Sequence, residues 1–70
     1  MFTSNIKEIM NKKKVTIREL AAASGMSLKT INKARQDEGI SECRLSTLAR
    51  IGGALGVRTK RLYEEGKAID

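Results

Sequence analysis

The stretch TIRELAAASGMSLKTINKARQ, residues 16–36, decides the fold. Thr16 and Glu19 have the spacing of a capping box, in which the hydroxyl accepts from the backbone of Glu19 and the carboxylate reaches back. Gly25 ends the helix that begins there, because glycine tolerates a left-handed backbone. Ser27 is the next residue able to cap a helix, so a second helix is predicted from Leu28 to about Arg35. The connection is so short that the two helices must cross.

Helical periodicity extends on both sides of this unit. Before it, apolar residues at helical spacing predict a helix from about Ser4 to Lys13. After it, the polar segment 36–44 has no period and is predicted to be a surface loop. Leu45 then begins a series of apolar residues at helical spacing, which predicts a helix that Gly56 ends. A short last helix is predicted from Thr59 to about Glu65.

Two adjacent glycines, Gly52 and Gly53, stand within the helix predicted after Leu45. Each costs a helix roughly 1 kcal/mol, so their presence predicts that another backbone approaches closely at that point.

The composition favours a single helical domain. The chain has 70 residues and no proline, which supports one modest core. We predict an all-α fold, a compact bundle of about five short helices, with residues 1–65 as the domain and 66–70 as a flexible tail.

The residue types exclude several kinds of chemistry. With no His and one Cys, the chain cannot form a Cys/His zinc site, a Cys-His nucleophile pair or a Ser-His-Asp triad. We therefore expect no enzyme activity, no metal, no cofactor and no small-molecule ligand. Cys43 is expected to pack as a small apolar residue under Leu48. The acidic residues Asp37, Glu38 and Glu42 are interpreted as solvated.

No signal peptide or membrane-spanning stretch is apparent in the sequence, so a cytoplasmic location without membrane insertion is expected. The formal net charge is +6, and residues 1–36 hold eight Lys/Arg against two acids, whereas residues 37–70 hold six against six. The first half would therefore attract a polyanion such as nucleic acid, although an anionic membrane surface also fits the charge alone.

Two segments resemble one known family. TIRELAAASGMSLKTINKA and LSTLARIGGALGVRTKRL are similar, in this order, to parts of the Cro and phage-repressor (XRE-like) helix-turn-helix regulators, and the resemblance runs from about Ile6 to Leu62. It implies a lambda-repressor-like bundle of about five helices that binds operator DNA, usually as a homodimer with recognition helices in the major groove. The second helix of the unit, about 28–35, would be the recognition helix.

The chain departs from the family pattern at four positions. Ile17 replaces a frequent Gln that holds the DNA, and Arg35 replaces a Glu that usually forms an internal ion pair. Arg44 and Arg58 stand where Ser, Thr or Asp normally caps a helix. Arg44 lies where the family touches phosphate.

The resemblance and the helical geometry together define candidate DNA contacts. The candidate base-contacting residues are Ser27, Leu28, Lys29, Asn32 and Lys33. Lys can donate to guanine, Asn can pair with adenine, and an apolar side chain can contact the thymine methyl. For Leu28, packing on a partner or on its own helix is an equal alternative, and for the whole group the alternative is a solvated helix face.

The candidate phosphate-contacting residues are Arg18, Thr30, Arg35 and Arg44. For Arg18, an exposed helix position without a DNA contact is an equal alternative. A homodimer is expected to pair through apolar residues of the C-terminal part, Leu62, Tyr63 and Ile69.

We predict a small repressor of phage, plasmid or mobile-element type that binds an inverted-repeat operator. One alternative is an architectural DNA-binding factor, excisionase-like or MerR-like, since residues 16–40 also resemble the start of a MerR-type domain. A full helix before the unit and the lack of predicted wing strands argue against it. Another alternative is a protein-interaction module of antitoxin or anti-repressor type.

Overall fold

The computed structural model describes residues 2–65. Within them it has five α-helices, one 3-10 helix and one two-stranded antiparallel sheet. In chain order the elements are β1 (Phe2–Ser4), α1 (Ile6–Lys13), α2 (Ile17–Ser24), α3 (Leu28–Ala34), α4 (Asp37–Ile40), α5 (Leu45–Leu55), the 3-10 helix (Thr59–Arg61) and β2 (Tyr63–Glu65). The predicted all-α class is confirmed, and the small sheet is an addition to it.

The capping box at the start of α2 is confirmed. The Glu19 backbone N–H donates to Thr16 Oγ1 at 3.1 Å, and the Thr16 N–H donates to Glu19 Oε1 at 2.8 Å. Gly25 ends the helix with φ of 72°, in the left-handed region that favours glycine. Local contacts therefore fix both ends of α2.

Ser27 begins α3 as predicted. Its Oγ accepts from the Thr30 N–H at 3.1 Å, which satisfies one of the amide donors left free at a helix start. Only the residues Gly25, Met26 and Ser27 separate α2 from α3.

The core lies where α2, α3 and α5 meet α1 and the segment before β2. Five large side chains are completely buried, with 0% of their surface exposed: Ile6, Leu20, Ile31, Ile51 and Leu62. Each helix of the unit thus contributes a buried anchor, which orients α3 relative to the rest of the domain.

Residues 2–4 and 63–65, at the two ends of the described region, form the sheet instead of helical turns. Phe2 pairs with Glu65 and Ser4 with Tyr63, so the first helix begins at Ile6 and not at Ser4. The predicted last helix does begin at Thr59, but it is a 3-10 helix that ends at Arg61 instead of about Glu65. Arg58 makes no side-chain capping bond at the start of the 3-10 helix. The extended residues of β1 and β2 satisfy their backbone groups by pairing with each other.

Segment 36–44 is also not simply a loop, because it contains the short helix α4. Ile40 is 2% exposed and Gly39 is also buried. A Cβ at Gly39 would lie 1.9 Å from the Lys33 carbonyl oxygen, so α4 can pack against the end of α3 only with glycine there. A helix of four residues is too short to show a period, which explains why the prediction missed it.

The helix α5 is confirmed, with two corrections. Leu45, expected on the core face, is 69% exposed, because it stands in the first turn beyond the packed part of the helix. A Cβ at Gly52 would lie 3.0 Å from the Val57 carbonyl oxygen, as the prediction of a close backbone requires, whereas none lies near Gly53. No helix within residues 2–65 has the length and apolarity to cross a membrane.

Candidate nucleic-acid interface

The exposed face of α3 is built by alternation of buried and exposed positions. Ile31 and Ala34 are 0% exposed and fix one side of the helix on the core. On the other side Leu28 is 43% exposed, and Lys29, Asn32 and Lys33 are also exposed. These four side chains share one face because residues three to four apart are neighbours on a helix. We call them the α3 face.

Ser27 and Thr30 lie beside the α3 face and contact each other. Their hydroxyl oxygens are 2.9 Å apart, and either can be the donor. The Ser27 oxygen is also occupied as the helix cap. Both hydroxyls therefore have protein partners, although each keeps hydrogen-bonding capacity.

Asn32 is held by its neighbour one turn later. Arg35 Nη1 donates to Asn32 Oδ1 at 3.4 Å. This contact orients the amide so that its NH₂ group stays available as a donor. The Nε of Arg35 is buried without a hydrogen-bond partner, and an unpaired buried donor is unfavourable until an acceptor reaches it.

Lys33 is engaged in an ion pair. Its Nζ lies 3.2 Å from Oε1 of Glu42, and the two side chains are 50% and 67% exposed. Glu42 is exposed, as interpreted, and in addition it pairs with Lys33. Sequence reasoning missed this contact because the pair depends on α4, which brings residue 42 back to α3.

The remaining candidate phosphate contacts stand on other elements. Arg18 is exposed in the first turn of α2, and Arg44 is exposed at the start of α5. Arg44 makes no side-chain capping bond, so the first amide groups of α5 keep their capacity to donate. The Lys33–Glu42 contact places the segment that leads into Arg44 beside the end of α3.

The three residues expected in dimerisation have different outcomes. Leu62 is 0% exposed, so its side chain belongs to the core and cannot contact a partner. Tyr63 is half-buried, and its ring meets the Phe2 ring edge to face at 5.8 Å. Ile69 lies outside the described residues. Sequence analysis did not identify Leu45 as an exposed apolar residue, because apolar spacing alone does not show which residues of a helix are exposed.

Cys43 packs against the core that contains Leu48, as predicted. Its Sγ donates to the Gly39 carbonyl oxygen at 3.4 Å. Burial raises the pKa of the thiol; Lys33 opposes this effect and Glu42 adds to it. Within residues 2–65 no group of three or more His, Cys, Asp or Glu side chains could hold a metal ion.

Comparison with protein families agrees with this arrangement. The profile of the Cro/C1-type HTH DNA-binding domain matches residues 5–64, which is most of the chain. The protein therefore belongs to the Cro/C1-type helix-turn-helix family and is a DNA-binding regulator. Comparisons with curated proteins and with solved structures gave no significant match.

Proposed function

We propose that this protein is a small transcriptional repressor of phage, plasmid or mobile-element type. It acts in the cytoplasm and binds an inverted-repeat operator through α3 in the major groove of DNA. The observation that carries the proposal is the α3 face. It presents two cations, an amide and an apolar group on a helix whose opposite side is completely buried, and such a rigid polar helix suits the reading of base edges.

Each side chain of the α3 face has a chemical role. Lys29 and Lys33 donate to O6 and N7 of guanine, and Asn32 donates to N7 of adenine. The Asn32 oxygen, already contacted by Arg35, has a second lone pair that can accept from adenine N6. Leu28 contacts a thymine methyl. Ser27 adds a hydroxyl contact where the chain enters the helix.

The phosphate contacts fix the position of α3 in the groove. Arg18, Arg35 and Arg44 supply charge, and Thr30 supplies a hydroxyl. The uncapped first turn of α5 behind Arg44 offers amide donors of the kind that bind phosphate.

Operator length requires two copies of the chain. One recognition helix reads only a few base pairs, too few to mark a unique genomic site. A homodimer can read two such half-sites, and a two-fold dimer uses the same surface on both copies. Such a dimer needs a surface that can pair with the same surface of a second copy.

The surface that fits best surrounds Leu45. This side chain is 69% exposed and borders a hollow of about 120 Å³, together with Phe2, Cys43 and Tyr63. A protruding leucine beside an apolar hollow is self-complementary, since the leucine of each copy can enter the hollow of the other. The pairing surface is thus Leu45 and Tyr63 in place of the buried Leu62.

The experiment that tests the proposal is selection of bound duplexes from a random pool, followed by titration of the selected duplex at different salt concentrations. An inverted repeat should emerge. A dimer that neutralises roughly six to ten phosphates should lose on the order of a thousandfold or more in affinity between about 50 and 200 mM salt. Recovery of no shared sequence, or a flat salt response, would contradict the proposal.

A further inference from the structure

The Lys33–Glu42 pair places an acid next to the proposed base-reading face. Lys33 Nζ and Glu42 Oε1 are 3.2 Å apart, and both side chains are at least half exposed. It is the one ion pair within residues 2–65. A carboxylate at this position is unexpected on a surface that contacts DNA. It repels phosphate, and it pairs with the Lys33 ammonium group that would otherwise be available to DNA.

The fold holds this pair together. The Lys33 carbonyl oxygen accepts from the Gln36 N–H at 3.2 Å where the chain leaves α3. The side chain of Lys33 then runs along Gly39, since a Cβ there would lie 2.8 Å from Lys33 Cγ. The Glu42 N–H donates to the Gly39 carbonyl oxygen at 3.1 Å. Lys33 and Glu42 therefore both contact Gly39, which limits how far their side chains can separate.

We propose that Glu42 competes with DNA for Lys33 and so sets the affinity of the regulator. In the free protein the carboxylate holds the ammonium group away from the groove. Binding requires Lys33 to exchange this partner for a guanine edge, and it brings the Glu42 charge close to the backbone. This inference rests on the proposed function, and it assigns to Glu42 a weakening effect on every complex.

The charges involved set the expected change in DNA affinity. An exposed ion pair contributes little, and a single charge at a DNA interface changes the salt slope by about one. Replacing Glu42 by Gln removes the charge while keeping the size of the side chain. The Glu42→Gln variant should bind DNA about threefold to tenfold more tightly than the wild type at moderate salt. Its affinity should also fall more steeply with salt.

Glu38→Gln is the matched control. Glu38 is also exposed and lies on α4, four positions from Glu42. Both substitutions replace Glu by Gln, so they change the net charge equally. Its effect should be less than about twofold, as expected for a charge without a direct partner on α3. Circular dichroism of both variants confirms that the domain remains folded.

The deciding measurement is a double-mutant cycle with Lys33→Gln. Fluorescence anisotropy of the full chain on the selected duplex and on a random-sequence duplex gives the affinities. In the Lys33→Gln background, Glu42→Gln should gain clearly less affinity than it does with Lys33 present, because only the repulsion between Glu42 and phosphate remains. An equal gain with and without Lys33, or no gain over Glu38→Gln, would overturn the inference. If the wild type bound neither duplex, the proposed function itself would fail, which is a different result.

Discussion

The hydroxyl of Ser4 donates to the carbonyl oxygen of Ala34 at 2.7 Å. This bond links β1 to the last residue of α3, thirty positions later in the chain. The Ser4 N–H also donates to Asp37 Oδ1 at 2.8 Å, at the start of α4. One residue of the first strand therefore fixes the point where α3 ends.

We expect Ser4→Ala to destabilise the domain by about 1–2 kcal/mol, because it leaves the carbonyl of Ala34 without its partner. The loss should appear as a lower urea midpoint with an unchanged slope. Thr3→Ala is the control, since Thr3 is exposed in the same strand, and it should change stability by less than about 0.5 kcal/mol. Equal effects of the two changes would show that the Ser4 bond is unimportant.

Gly52 and Gly53 provide a second matched pair. Alanine favours a helix over glycine by about 1 kcal/mol. A Cβ at Gly53 meets no atom within 4 Å, so Gly53→Ala should raise the free energy of unfolding by about 0.5–1 kcal/mol. A Cβ at Gly52 would lie 3.0 Å from the Val57 carbonyl oxygen and 3.5 Å from the Thr59 nitrogen. Crowding against this backbone should make Gly52→Ala destabilising by about 1 kcal/mol or more.

Thermal and urea unfolding of the two alanine variants measure this difference. If Gly52→Ala were as stable as Gly53→Ala, the turn after α5 would be able to move without cost.

Asn32→Ala and Arg44→Ala should separate base reading from phosphate binding. We expect Asn32→Ala to cost about 1–3 kcal/mol on the selected operator and to relax preference at one or two base pairs. Arg44→Ala should weaken binding to all sequences alike and reduce the salt slope by about one. Equal losses on operator and random DNA for both variants would remove this assignment of roles.

Cys43 offers a test of local packing. Burial raises the pKa of its thiol, so near pH 8 iodoacetamide should alkylate the folded chain more slowly than the urea-unfolded chain. The unfolded chain releases the thiol proton first as the pH rises. The contribution of Cys43 to stability is therefore complete below the ordinary thiol pKa and is lost as the pH rises through the raised one. Equal alkylation rates in both states would show that the thiol is not shielded.

The sequence predicts the central unit well because its signals are local. The cap at Thr16, the left-handed turn at Gly25 and the cap at Ser27 each depend on residues no more than four positions away. Such contacts form wherever the chain goes next. The α3 face follows from them by helical geometry alone.

The errors concern contacts between distant segments. The strand pairing of Ser4 with Tyr63 joins the two ends of the domain, and a three-residue strand has no period of its own. The Lys33–Glu42 pair depends on how α4 packs on α3. Leu62 becomes core because the segment before β2 packs back onto the helices. Apolar character alone could not distinguish buried Leu62 from exposed Leu45.

The last prediction concerns the spacing of the operator and the pairing of two chains. A two-fold dimer with both recognition helices on one face of the duplex requires half-site centres about 10 base pairs apart. Inserting about five base pairs turns one half-site to the far side, so most of the specific affinity should be lost.

Leu45→Asp places a charge on the proposed pairing surface, where Leu45 is 69% exposed. It should therefore weaken self-association, measured by analytical ultracentrifugation, together with operator binding, while stability changes by less than about 0.5 kcal/mol. Tyr63→Asp is a poorer probe, because Tyr63 also packs on Phe2. Equally tight binding to one half-site and to the full repeat, unaffected by the insertion, would contradict the dimer and favour a monomeric or tandem mode of binding.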